Sequence, residues 1–297
     1  MVIQRFLEYI AVERHYSNRT VEAYRDDLRD FCAFFNWTPE EFDPTKIDET
    51  EVKDWMISLL DGGKSPRSVK RYLSSLRSFY KFMLRTGLVK KDITRKVIAP
   101  KVDKPLPVFF KESEMQRATA YEAEADDFES VRDCLIIEFL YQTGARQAEL
   151  LGLTDSDIDL IQGQVRIFGK RKKERIVPIG EHLVAQIKDY LEARNSLGSV
   201  PAFFVRIMRN GEVAPLERHT LYNIVRARMG EVSTLKKHSP HVLRHTFATT
   251  MLNNGADIRT IQSLMGHASL AATQVYTHTT FEQVRKAYNA AHPRAKK

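Results

Sequence analysis

Cysteine is scarce in this 297-residue chain: Cys32 and Cys134 stand far apart, each inside an apolar helical pattern. That excludes a disulfide framework and predicts two reduced core thiols. No apolar run approaches the ~20 residues that a bilayer-crossing helix needs. The opening MVIQRFLEYIAVERHYS carries charge where a secretory signal would be apolar. Both absences predict a cytoplasmic location and no membrane partner. There is no internal repeat and no low-complexity tract. With 43% hydrophobic residues, the chain has apolar material for two domain cores, which excludes a disordered or fibrous segment.

Another absence is local: from Lys64 to Lys91 there is no carboxylate. The wider stretch from Gly62 to Lys104 holds thirteen basic residues against Asp92 and Asp103, a local +11 in a chain whose net formal charge is +8. Positive charge is thus concentrated in one segment, as a footprint on nucleic acid requires. Within it, SPRSVKRYLSSLRSFYKFMLRTG has Ser65 as a helix cap, Pro66 in the first turn and Gly87 as the stop. Val69, Tyr72, Leu73, Leu76, Phe79 or Tyr80, and Met83 form an apolar stripe; Lys70, Ser74, Arg77, Lys81 and Arg85 form a second stripe on another face. The cations Lys70, Arg71, Arg77, Lys81 and Arg85 are candidate DNA-binding residues, because no acid along the helix pairs with them.

The rest of the first hundred residues also reads as helices. Ser17 caps a segment with Val21, Tyr24, Leu28, Phe31 and Phe35 at spacings of three and four, and Thr50 opens EVKDWMISLL, stopped by Gly62 and Gly63. IAPKVDKPLPVFF, with three prolines, has the composition of a semi-extended linker. The expected organisation is therefore a four-helix-type domain over residues 1–98, a linker over 99–110 and a second domain over 111–297. The second domain should carry helices over 111–121, 128–142 and 181–195. Two short strands, 165–168 and 175–178, should flank a Gly- and Lys-rich turn, followed by a hairpin with Asn210-Gly211 at its tip. The fold class is mainly α with a small β component, the second domain being α+β.

Six side chains of the second domain form a chemical set: Arg146 in TGAR, Lys170 in the hairpin turn, His241 and Arg244 in PHVLRHTFAT, His267 after QSLMG, and Tyr276 in ATQVYTHTT. Singly, each has an ordinary structural explanation. As a set they suit attack on a phosphodiester. Two guanidinium groups hold non-bridging oxygens in forked geometry, and imidazoles donate to them. A phenol with pKa near ~10 needs a neighbouring base and positive surroundings to become a nucleophile. A lysine on a hairpin can protonate a leaving alkoxide.

This set, with HVLRH, MGH and TQVYTH in that order, resembles the tyrosine recombinases, and the short chain looks most like their Xer group. The similarity spans nearly the whole chain and is strongest from Thr143 to Tyr276. It implies an N-terminal core-binding domain that clamps duplex DNA and a C-terminal catalytic domain. It further implies that Tyr276 attacks to give a 3′-phosphotyrosyl link and a free 5′-hydroxyl. Arg146 and Arg244 would hold the phosphate, His241 would accept a proton, His267 would donate a hydrogen bond, and Lys170, flanked by the DNA contacts Arg171 and Lys172, would protonate the leaving oxygen. No metal, ATP or other cofactor is implied. The implied partners are double-stranded DNA with inverted half-sites, further copies of the chain in a tetramer joined through the C-terminal helix with Phe281, Val284 and Tyr288, and optionally a second recombinase or a DNA translocase; from the residues alone, that helix fits packing on its own domain equally well. Resolution of chromosome dimers is the implied role, and the lack of an extra N-terminal arm-binding domain favours it over an integrase or transposase of a mobile element. Ala145, Gln147 and Met265 depart from the usual pattern only in packing.

Three rivals come from other classes. A metallohydrolase would use His241 and His245, at i and i+4, but no Glu base lies between them and Arg244 repels a cation. A DNA-binding protein without cleavage would form no covalent adduct. A type IB topoisomerase would relax supercoils as a monomer. His245 is assigned to positioning its helix, and His278 to the periphery.

Overall fold

Helix caps and stops written in the sequence reappear in the computed structural model, which describes residues 2–103, 107–120, 127–169, 173–198, 200–266 and 278–295. The chain divides into two compact units, Met1–Pro105 and Leu106–Lys297.

In the first unit, α1 (Val2–Glu8) runs into a π-turn (Tyr9–Glu13), an element that the sequence patterns above do not mark. Ser17 caps α2 (Asn18–Phe34) by accepting from the Thr20 N–H. The start of α3 (Glu49–Asp61) differs from expectation. Asp48, not Thr50, is the cap; it accepts from the N–H groups of Thr50 and Glu51, while the Glu51 carboxylate reaches back to the Asp48 N–H at 2.8 Å. This reciprocal pair satisfies donors that a lone threonine leaves open. Ser65 and Pro66 start α4 (Pro66–Arg85), and Gly87 follows it in a left-handed conformation (φ 73°). Phe6, Phe31, Trp55 and Phe79 fill the core with Cys32 among them; Phe31 and Trp55 meet edge-on, ring centroids 4.6 Å apart. Such a pair adds ~0.5–1.5 kcal/mol beyond burial. Cys32 and Cys134 are free and buried, and burial pushes the Cys32 thiol up to about 12.

The basic face of α4 is exposed, as its period requires, yet three of its arginines have partners within the unit. Arg71 lies 2.5 Å from the buried Asp27 carboxylate. Arg77 donates to the Val97 carbonyl at 2.6 Å, and Arg85 lies 3.5 Å from Glu13 and 4.2 Å from the Tyr9 ring. Both acids come from other elements, so a search along α4 alone could not find them.

The second unit is built on α6 (Phe128–Thr143), whose residues from Cys134 to Thr143 are all buried. Around it stand α5 (Glu112–Ala118), α7 (Gln147–Leu151), α8 (Glu181–Asn195), α9 (Arg218–Val232), α10 (Pro240–Asn253), α11 (Ile258–Met265) and α12 (His278–Ala291). An antiparallel sheet pairs β1 (Ile158–Asp159), β2 (Gln164–Phe168) and β3 (Glu174–Pro178) in that order, with Val165 opposite Val177 and Ile167 opposite Arg175. A second hairpin, β4 (Val205–Ile207) and β5 (Val213–Pro215), turns at Gly211 (φ 83°). Strand β1 has two residues, too few for a period, and was not expected. Helix α12 packs on its own unit: Val284, Tyr288 and Ala291 are buried, Tyr288 donates to Gln142, and Asn254 donates to the Ala291 carbonyl.

Candidate active site

The site begins where α6 ends. Gly144 closes that helix with φ 59°, and a Cβ there would lie 2.5 Å from the Phe247 ring of α10. Conformation and contact both demand glycine. The chain then extends through the buried Ala145 to Arg146, which precedes α7. Glu149, one turn on, folds back: its carboxylate accepts the Arg146 N–H at 2.9 Å and the Arg146 guanidinium at 2.7 Å.

Helix α10 starts at Pro240 and presents two faces. Val242, Leu243 and Phe247 are buried and His241 and His245 are exposed. Arg244 belongs to the buried set, and a buried guanidinium needs acceptors. It donates to the Gly144 carbonyl and, at 2.6 Å, to the Met265 carbonyl, with Glu149 at 4.0 Å. Arg146 reaches the same Met265 carbonyl at 3.5 Å. The two arginines thus converge on the end of α11, where Gly266 (φ 63°) turns the chain.

Arg175, absent from the expected set, completes the cluster. Only 4% exposed, it donates to Glu149 at 2.7 Å and to the Leu264 carbonyl at 2.6 Å. Its signal in the sequence is a cation on the inward alternation of a strand, level with Val177. Gly169 lies beside the cluster too, since a Cβ on it would stand 3.5 Å from Glu149 Oε1.

Burial alone would raise the Glu149 pKa. The hydrogen bond and charge of Arg175, then the N–H and guanidinium of Arg146, outweigh it and hold the carboxylate at about 2. For Arg244, burial and then repulsion by Arg146 and Arg175 lower the pKa to about 10, which leaves it cationic at neutral pH. Partial burial lowers the His241 pKa, helped by His245, Arg244, Lys237 and Arg146. Its imidazole is therefore neutral at neutral pH and able to accept a proton. Two guanidinium groups beside such a base can hold a tetrahedral oxyanion and deprotonate a hydroxyl brought against it.

The Glu149 shift makes the second unit sensitive to acid. A carboxylate with a lowered pKa stabilises the fold above its unfolded value, 4.5, and loses that contribution as pH falls towards 2. The linked stability is on the order of 3 kcal/mol. Urea unfolding at pH 6 and pH 3 should show a loss of about 2 kcal/mol from this group, the remainder going only below pH 3, and the loss should shrink in Glu149→Gln; an equal loss in both proteins contradicts the assignment.

Of the six expected site residues, Arg146, His241 and Arg244 come together. Lys170, His267 and Tyr276 lie outside the described residues, as do Arg171 and Lys172. Among the described residues, no three His, Cys, Asp or Glu side chains gather as a metal site would require. Sequence reasoning also passed over the exposed face of α9, with Arg218, His219, Tyr222, Asn223 and Arg226. Gln147, next to Arg146, donates to the Arg218 carbonyl at 2.7 Å and fixes the start of α9 beside the cluster.

Comparison with known proteins bears on this geometry. Residues 109–283 match the phage integrase family, and residues 3–87 match the N-terminal SAM-like domain of phage integrases. The chain is 35% identical to the tyrosine recombinase XerC of Chlorobaculum parvum, over 99% of this chain and 94% of the relative. It is 36% identical to the tyrosine recombinase XerD of Oceanobacillus iheyensis, over 99% and 98%. In fold it is similar to the XerH recombinase bound to a palindromic difH substrate (TM-score 0.69, 23% identity, 97% and 94% covered). The Tn1549 transposon integrase bound to circular intermediate DNA is similar in fold as well (TM-score 0.67, 18% identity, 95% and 98% covered).

Proposed function

Since the chain belongs to the phage integrase family, as a tyrosine recombinase of the Xer type, we propose that it cleaves and rejoins duplex DNA through Tyr276 at paired, inverted half-sites. The observation that carries this is the convergence of Arg146 and Arg244 on the Met265 carbonyl beside a neutral His241. Two guanidinium groups close enough to share one carbonyl are close enough to share one phosphate. Arg146 and Arg244 hold the scissile phosphate, His241 receives the tyrosine proton, and His267, one residue after Gly266, donates to the phosphate. Lys170, next to Gly169, protonates the departing 5′-oxygen. The bond energy is kept in the phosphotyrosyl link, so rejoining needs no external energy source.

The N-terminal unit clamps the duplex with the exposed face of α4. Arg71, Arg77 and Arg85 have intramolecular partners, which leaves Lys70 and Lys81 as the phosphate contacts that cost no internal bond. Lys81→Ala should flatten the dependence of log affinity on log salt by about 0.9. Arg71→Ala should instead lower the melting temperature, because the buried Asp27 carboxylate loses its cation. Titrations at several salt concentrations separate the two. The α9 face, with Arg, Asn and Tyr and no acid among Arg218, His219, Tyr222, Asn223 and Arg226, is suited to base edges.

Similarity to XerC and XerD over nearly the whole chain supports resolution of chromosome dimers in the cytoplasm by a tetramer on DNA. In that tetramer, the surface that α12 covers in its own chain receives the α12 of a neighbour. A nicked suicide duplex tests the chemistry. The wild type should form a protein-linked strand in the presence of a chelator, joined at a 3′ end, and sequencing that strand gives the cleavage site. A wild type that binds DNA but forms no link removes the proposal.

A further inference from the structure

Arg175 is a buried cation beside the site that the chemistry above does not use. It sits on β3, the strand that follows Lys170 in the sequence, and pairs with Glu149, the carboxylate that aims Arg146. Its Nε holds the Leu264 carbonyl at 2.6 Å, two residues before Gly266. A Cβ on Gly266 would press within 3.2 Å of its guanidinium, so the end of α11 rests directly on Arg175. Each bond has a local cause. An unpaired guanidinium cannot remain at an inward strand position, and the end of α11 offers carbonyls without helical partners.

From this arrangement we infer that Arg175 is a positioning residue for strand cleavage, one that registers β3, the strand that follows Lys170 in the chain, against the Arg146–Glu149 pair and the end of α11, so that Lys170 meets the leaving oxygen. It does not touch the phosphate. Its two bonds end on different elements, one on Glu149 and one on α11, so it fixes three separately encoded segments relative to each other. Lysine keeps the charge but has one nitrogen and cannot hold both acceptors in fork geometry. A shift of about 1 Å at reacting groups costs on the order of 100-fold in rate.

This inference rests on the cleavage chemistry proposed above, and the test separates the two. Single-turnover cleavage of suicide DNA is measured for the wild type and Arg175→Lys at saturating protein, with the DNA dissociation constant and melting temperature alongside. The expected result is a rate about 100-fold lower with DNA affinity unchanged. A duplex with sulfur at the 5′-bridging position reads the hairpin separately. A thiolate leaves without the proton that an alkoxide needs, because its pKa is near ~8.5. On that duplex Arg175→Lys should recover most of the lost rate.

A variant that cleaves ordinary DNA at the wild-type rate overturns the inference. So does a variant equally slow on both duplexes, which would reduce Arg175 to a partner of Glu149. Absence of cleavage by the wild type overturns the cleavage chemistry instead. If Arg175→Lys melts early, Arg175→Met with Glu149→Gln removes both buried charges together and is compared with Glu149→Gln alone. The double variant should be the slower on ordinary DNA, and equal rates overturn the inference.

Discussion

Tyr276→Phe should abolish the protein-linked DNA strand, a fall of at least about a thousandfold in cleavage, while DNA affinity stays within about twofold of the wild type. The change removes one oxygen and leaves the arginine pair, His241 and the basic face of α4 untouched. Denaturing gels of trapped reactions read the link, and band shifts read the affinity. A link that persists moves the nucleophile to another hydroxyl, with the exposed Tyr222 of α9 the first to replace. Loss of link and affinity together would mean that the phenol holds the site's structure.

Arg244 and Arg146 should fail in different ways, although both are assigned to the phosphate. Arg244 is buried and bonded to the Gly144 and Met265 carbonyls, so Arg244→Lys loses a fork that is part of the core as well as of the site. Cleavage should fall by about 10²–10³, as for loss of a transition-state donor, and the melting temperature should fall with it. The Arg146 side chain is 39% exposed and, among the described residues, has its only short side-chain bond to Glu149. Arg146→Lys should therefore slow cleavage by a similar factor at nearly unchanged melting temperature. Melting curves beside single-turnover rates make the comparison, and equal melting losses for both variants contradict the distinction.

The sequence was most legible where one residue fixes one local feature. Ser17 and Ser65 as caps, Asn210-Gly211 as a turn and the span of α8 are each decided by a few neighbouring residues. Asp48 shows the limit, since Thr50 and Asp48 are both acceptable caps and only the reach of Glu51 chooses between them. Pairings across the chain were not legible. Asp27 meets Arg71, and Glu149 meets Arg175, at separations that no helical or strand period encodes. Arg146, His241 and Arg244 were singled out by chemistry, order and resemblance, and the structure brings them to one place, whereas Arg175 had only its inward strand position to mark it. The α9 face was missed because its polar residues look like an ordinary solvated helix until Gln147 ties that helix to Arg146.

The shared Met265 carbonyl has a consequence for how the protein meets its substrate. Arg244 holds it at 2.6 Å from a buried seat, and Arg146 only grazes it at 3.5 Å from a half-open one. The pair works like a vice with one jaw bolted to the bench. Most of the ordering entropy for the bolted jaw is spent once, when the chain folds, and with the pair in the proposed role only the loose jaw would have to travel when a phosphate arrives.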